Sequence, residues 1–185
     1  MAGNGFRLAR SQGVEGMCGN LRDYPVNPAN NTPIFRGDLV TLTGGYVEAA
    51  PAAAATKILG IFWGCKFEAP DGSIEFENYW DGGANRTNIQ AQVALLPAGA
   101  TALVKGAEGQ VYTQGDIGTR KVFTSNAGDI RTGMSRAVLG PAGSDVAGAP
   151  LIVQQKIDLP DNGNDKGDWF EVSLATDSAV IATGA

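Results

Sequence analysis

The sequence predicts an all-β protein, a small β-barrel or sandwich of about eight to ten short strands with an extended N-terminal arm. Three observations carry this. Glycine occurs 26 times and proline 9 times in 185 residues, so turns are frequent. Short runs of alternating or continuous apolar residues recur between those turns, as in KILGIFWGCKFEA (57–69) and LIVQQKIDL (151–159). No stretch holds the 3.6-residue apolar period of an amphipathic helix. Charged residues make up 18% of the chain, below the roughly 25% of an average soluble protein. Its hydrophobic share of 43% still suffices for a core. One domain is therefore expected, divided into an arm over 1–33 and a barrel or sandwich over 34–185.

Residues 1–33 scatter Phe6, Leu8, Val14, Met17 and Leu21 among Gly, Asn and Pro, with neither strand nor helix period. A segment of this kind has no core of its own and is expected to lie on another surface. From Ile34 the pattern changes. IFRGDLVTL reads as a strand, Gly44-Gly45 supplies a tight hairpin, and YVEAA returns. Pro51 keeps AAPAAAAT as a loop or single turn. Residues 57–69 form the strongest strand, with Gly60 and Gly64 marking bulges or close backbone packing. Pro70-Asp71-Gly72-Ser73 then reverses the chain into SIEFENYW, where Ile74, Phe76 and Asn78 face one way and Glu75, Glu77 and Tyr79 the other.

After Asp81-Gly82-Gly83, NIQAQVALLP (88–97) and ATALVKG (100–106) read as strands, and QVYTQGDIG begins as one. Residues 113–149 read as loop apart from MSRAVLG. LIVQQKIDL and WFEVSLA (169–175) are expected to pair as a hairpin across an acidic turn.

The composition also excludes chemistry. The chain has no histidine, which removes Ser-His-Asp and Cys-His catalysis and His-ligated zinc. Two cysteines, Cys18 and Cys65, are too few for a Cys-only zinc site and are expected to be free thiols, Cys65 buried in a strand. A net charge of −5, with no basic block, argues against nucleic acid as a partner. The most apolar stretch, ILGIFWG, is far shorter than a membrane span, and MAGNGFRLAR lacks the apolar run of a secretory signal, so no membrane is expected.

The oxygen-rich run Asp158, Asp161, Asn162, Asn164, Asp165 and Asp168 has the ligand type for Ca²⁺, but position twelve from Asp161 is Val172, so a solvated turn is expected. Glu75, Glu77 and Asp81 resemble a glycosidase carboxylate pair only in composition. Arg36-Gly37-Asp38 spells an adhesion tripeptide short enough to arise by chance. Trp63, Trp80 and Trp169, with Phe62, Phe67, Phe76 and Tyr79, supply either a stacking platform or the bulk that a core rich in Ala and Gly needs, and the core is the expectation. No cofactor and no catalytic residue is expected, so the chain reads as a non-enzyme.

Three segments in order, GFRLAR, IFRGDLVTLTGGYVEAA and ILGIFWGCKFEAPDGSIEFENYWDGG, resemble the capsid decoration, or cement, proteins of tailed bacteriophages, particularly of podophage-type heads. The resemblance covers about residues 5–118, with a weaker echo in DLPDNGNDKGDWFEVSLA, while 119–149 departs from it. It implies an all-β protein made in the host bacterial cytoplasm that binds the outside of the assembled shell. The implied partners are the major capsid protein and neighbouring copies of the chain itself, as a trimer rather than a dimer. With it, the arm is expected to anchor the protein to the shell through Phe6, Arg7, Leu8, Arg10, Met17, Leu21 and Tyr24, adding little to its own fold. The alternative from the residues alone is a carbohydrate-binding β-sandwich.

Overall fold

The computed structural model describes residues 5–9, 21–83, 85–125, 128–157 and 168–180, and these are almost entirely β. The strands, in chain order, are β1 (Arg7–Leu8), β2 (Leu21–Pro25), β3 (Ile34–Phe35), β4 (Leu39–Thr43), β5 (Tyr46–Ala49), β6 (Gly60–Glu68), β7 (Ile74–Glu77), β8 (Tyr79–Trp80), β9 (Thr87–Leu95), β10 (Thr101–Lys105), β11 (Arg120–Lys121), β12 (Phe123–Thr124), β13 (Val138–Leu139), β14 (Leu151–Ile157) and β15 (Trp169–Leu174). Nine of them run four residues or longer, and the rest are two-residue pairings that glycine-rich loops make in passing. The described helical structure consists of two short 3₁₀ turns, at Gln114–Asp116 and Thr176–Ser178.

One sheet runs β2-β9-β6-β4-β5, with β7 hydrogen-bonded to β6 off that path. A parallel bridge between Val26 and Val47 ties its first strand to its last, so the sheet curls into a small barrel. Alternation then decides what lies inside. Val40, Phe62, Cys65, Phe67, Ile89, Ala91 and Val93 point inward and are buried. Trp80, wholly buried, plugs the barrel from β8, its indole N–H donating to the Asn30 carbonyl at 3.1 Å.

The second sheet, β1-β10-β15-β14-β11, covers part of the barrel's outer surface. A second core fills the space between the two. Leu39, Ile61, Ala94 and Leu96 come from the barrel, and Val104, Leu151, Val153, Phe170 and Val172 from the sheet. Barrel and two-layer packing therefore coexist. The β14–β15 hairpin pairs as its sequence predicts, from Leu151 opposite Leu174 to Ile157 opposite Trp169. Gly44 and Gly45 both adopt positive φ in the β4–β5 turn. Gly60 permits a close approach of strands, since a Cβ there would lie 2.2 Å from the Ala94 carbonyl oxygen.

Three parts differ from the sequence reading. The arm is extended, but its described pieces belong to the chain's own sheets, β1 pairing with β10 and β2 with β9. Residues 113–149, read as mostly loop, hold β11, β12 and β13 and are fixed by buried polar contacts. There the Asp116 carboxylate accepts from Lys121 Nζ at 2.8 Å and from the N–H groups of Thr113 and Gly143 at 2.8 and 2.7 Å. Residues 110–118, expected to begin as a strand, instead carry Tyr112 into the core, where its hydroxyl donates to the Gly140 carbonyl at 2.8 Å.

Candidate functional site

The site is assembled around the turn after β3. Gly37 has φ of 97°, which lets the chain turn back at Arg36-Gly37-Asp38. The turn is then held from three sides. Phe6 N–H donates to the Gly37 carbonyl at 2.8 Å, Gly37 N–H to the Phe62 carbonyl at 2.9 Å, and Ser135 N–H to the Arg36 carbonyl at 2.9 Å. Asp38 lies beneath, 8% exposed, accepting from the Ser135 hydroxyl at 2.5 Å and the Phe35 N–H at 2.8 Å. Burial pushes its carboxyl above the usual range against the pull of those two donors. Because Asp38 is spent inside the fold, the tripeptide does not present its carboxylate to an adhesion receptor.

This framework opens a half-enclosed groove of about 360 Å³. Phe6, Leu8, Trp63, Leu103 and Met134 supply its apolar walls, and Arg7, Arg36 and the Gly37 backbone its polar part. Each arginine is laid on an indole: the Arg36 guanidinium sits 3.9 Å from the Trp63 ring centre and that of Arg7 5.3 Å from Trp169. Among the described residues no carboxylate lines the groove, so it suits an apolar group carrying negative charge. It lies within the size range of small-ligand sites, and its walls come from five separate stretches of the chain.

Of the expected contact residues, the groove brings together Phe6, Arg7 and Leu8. Phe6 differs from expectation: it is 2% exposed, packed edge-on against Phe123 at 5.9 Å, and belongs to the core. Arg7 is exposed and Leu8 half-buried. Leu21 and Tyr24 lie on β2, away from these three in sequence, Leu21 exposed and Tyr24 packed against the barrel interior. Arg10 and Met17 lie outside the described residues, as do Cys18 and all of the 158–168 oxygen-rich run except Asp168. Asp168 is buried and paired with Lys156 Nζ at 2.9 Å. Among the described residues, no three His, Cys, Asp or Glu side chains are grouped as metal ligands.

Two of the other acidic candidates are tied to a cation. Asp81 accepts from Arg86 at 2.6 Å, Glu77 lies 3.5 Å from the same guanidinium, and Glu75 is exposed. Burial raises the Glu77 carboxyl, Arg86 lowers it, and Asp81 and Glu75 raise it again. Beside them Cys65 is buried and unpaired, its thiol donating to the Tyr79 carbonyl at 3.3 Å. Burial, with the Glu77 charge, pushes that thiol up to about 12, so it is a poor nucleophile.

Of the aromatic set, Trp80, Phe62 and Phe67 are interior, and Tyr79 stacks on Phe35 at 5.5 Å. Phe76 alone of that set stands open, 71% exposed on β7 beside Ile74 at 70%. Arg36, Trp63 and Met134 were missed as a site. The available signal was an arginine in a glycine turn with a tryptophan on the following long strand, too common a pattern to single out.

Comparison with family models, curated proteins and solved structures finds no match for this chain.

Proposed function

We propose that this chain is a structural protein of a bacteriophage head, binding the outer surface of the shell built by the major capsid protein and reinforcing it. The observation that carries the reading is a surface made for macromolecular contact: large apolar side chains stand in water on loops and a hairpin, Ile130 at 68% and Val111 at 59% exposure among them, over a core that is otherwise filled. The segments that resemble decoration proteins supply β4, β5 and β6 of the barrel, its Trp80 plug, and Phe6, Arg7, Leu8, Arg36 and Trp63 of the groove. Many modest contacts, repeated over a lattice, suffice for a protein of this kind.

The anchoring role first given to the whole arm is narrower in this reading. Phe6 is committed to the core, so the shell is met by Leu21 and by the Val111 and Ile130 loops. The carbohydrate-binding alternative has less support, because Trp80 is inside the barrel and Trp63 and Trp169 lie under arginines.

The test is co-sedimentation with heads that lack their decoration protein. The full chain is expected to pellet with them, and Ile130→Asp combined with Val111→Asp to weaken binding at least about tenfold, equivalent to ~1.4 kcal/mol. A full chain that stays in the supernatant at saturating head concentration overturns the reading.

A further inference from the structure

We propose that the groove binds a small free carboxylic acid in its ionised form, a straight-chain alkanoate, with its carboxylate on Arg36 and its chain along the apolar walls. The charge that Arg36 offers is set apart from the other cations of this fold. Among the described residues three arginines are half-buried, Arg36, Arg86 and Arg120. Arg86 is paired with Asp81 at 2.6 Å, and Arg120 with Asp177 at 2.8 Å. The Arg36 guanidinium meets no carboxylate among the described residues and rests instead on Trp63, 3.9 Å from the ring centre, inside the groove. A partly desolvated guanidinium without a counter-ion gains more from an incoming anion than one in open water. Arg7, also in the lining, likewise has no acidic partner among the described residues. Glu171, next past Leu103 in the row that Arg7 begins across the sheet, is taken by Gln155 at 2.6 Å.

The lining narrows the class of ligand. At about 360 Å³ the groove is at the small end of the roughly 300–1,000 Å³ that ligand sites span, room for one slender molecule. The backbone N–H groups of Phe6, Arg36, Gly37 and Met134 already donate within the fold, so this turn keeps none of them to cradle a phosphate. A single guanidinium fork, by contrast, matches the two oxygens of a carboxylate. Arg36 covers one face of Trp63 and Phe6 shows only 2% of its surface, so little ring face is open to stack an aromatic ligand. The rest of the apolar wall is aliphatic, Leu8 and Leu103 with the unbranched Met134, which adapts to a flexible chain. Charge and shape together therefore call for an alkyl chain that ends in a carboxylate. Leu21, Val111 and Ile130 do not line the groove, so this inference and shell binding fail separately.

The experiment uses the full chain labelled with carbon-13 at its methionine methyl groups, the Met134 signal being assigned by its loss in Met134→Leu. Octanoate, octanamide, octylammonium and the tripeptide Gly-Leu-Leu are titrated in turn at neutral pH. Octanoate is expected to move the Met134 signal saturably in the millimolar range or below, with octanamide at least about tenfold weaker, the tripeptide weaker than octanoate and octylammonium without effect. In Arg36→Gln the affinity for octanoate should fall about tenfold while that for octanamide stays, a separation that a merely disturbed fold does not give. If Arg36→Gln loses its thermal transition, the ranking of the ligands on the unaltered chain decides. The proposal is overturned by the lack of a saturable shift at Met134, by equal binding of octanoate and octanamide, or by a folded Arg36→Gln chain that keeps the preference. Tighter binding of the tripeptide than of octanoate overturns it too, since the site would then read the carboxyl terminus of a peptide.

Discussion

Replacing Phe6 with alanine tests whether the amino-terminal segment is part of the fold. Its ring is 2% exposed and sits in the core between the two sheets, edge-on to Phe123. Burying a phenylalanine side chain is worth about 1.5–3 kcal/mol, and the aromatic pair adds roughly 0.5–1.5. Truncation to alanine also leaves a cavity, and together these place Phe6→Ala at about 3–5 kcal/mol of lost stability. The backbone bond from Phe6 N–H to the Gly37 carbonyl survives the substitution, so the loss reports the side chain. In urea, with a slope of roughly 2–3 kcal/mol/M for a chain of this size, the midpoint should fall by about 1–2 M. Leu21→Ala, at a position 37% exposed, is the control and should shift stability by no more than about 0.5 kcal/mol. If Phe6→Ala changes stability as little as the control, Phe6 rests on the surface and returns to the set of shell contacts.

Acid should erode stability through Asp116. Burial would raise its carboxyl, but Lys121 and the N–H groups of Thr113 and Gly143 outweigh burial and hold it at about 2, against an ordinary 3.8. A depressed carboxyl stabilises above its unfolded value, so about 2 kcal/mol should be lost as pH falls from near 4 to near 2. Asp116→Asn should start less stable and show a flatter acid limb in chemical denaturation, and an unchanged limb would refute this assignment. Cys65, with its thiol pushed up to about 12, should resist a disulfide-exchange reagent at pH 8 in the folded protein and react on unfolding. Rapid modification of Cys65 in the native state, located by peptide mapping, would contradict its burial.

Much of the fold was legible because local rules and tertiary structure agree along most of the chain. Gly44-Gly45 and the Pro70–Ser73 turn set hairpins by local chemistry, and 151–157 and 169–174 pair across the intervening acidic run. The amino-terminal segment was illegible for the opposite reason. Arg7–Leu8 pairs with a strand at 101–105 and Leu21–Pro25 with one at 87–95, and nothing within either short stretch specifies a partner so far along the chain. In 113–149 the order comes from single polar side chains. Asp116, Lys121 and Tyr112 each satisfy several backbone groups at once, and such contacts leave no periodic trace in sequence.

The exposed hairpin shows how far strand alternation reaches. Alternation correctly places Ile74 and Phe76 on one face and Glu75 and Glu77 on the other. It says nothing about what covers either face. Phe67, directly opposite Glu75 on β6, is buried because that strand belongs to the closed circuit of the barrel. Phe76, opposite Lys66, points to the other face of that sheet, so none of the neighbours that bury Phe67 reaches it. Two phenylalanines on adjacent strands thus have opposite fates, decided by the face each takes: Phe67 on the interior face, Phe76 with Lys66 on the outer one. The same closure that completes the core leaves β7 outside it, with Ile74 and Phe76 in water on one face and Glu75 on the other.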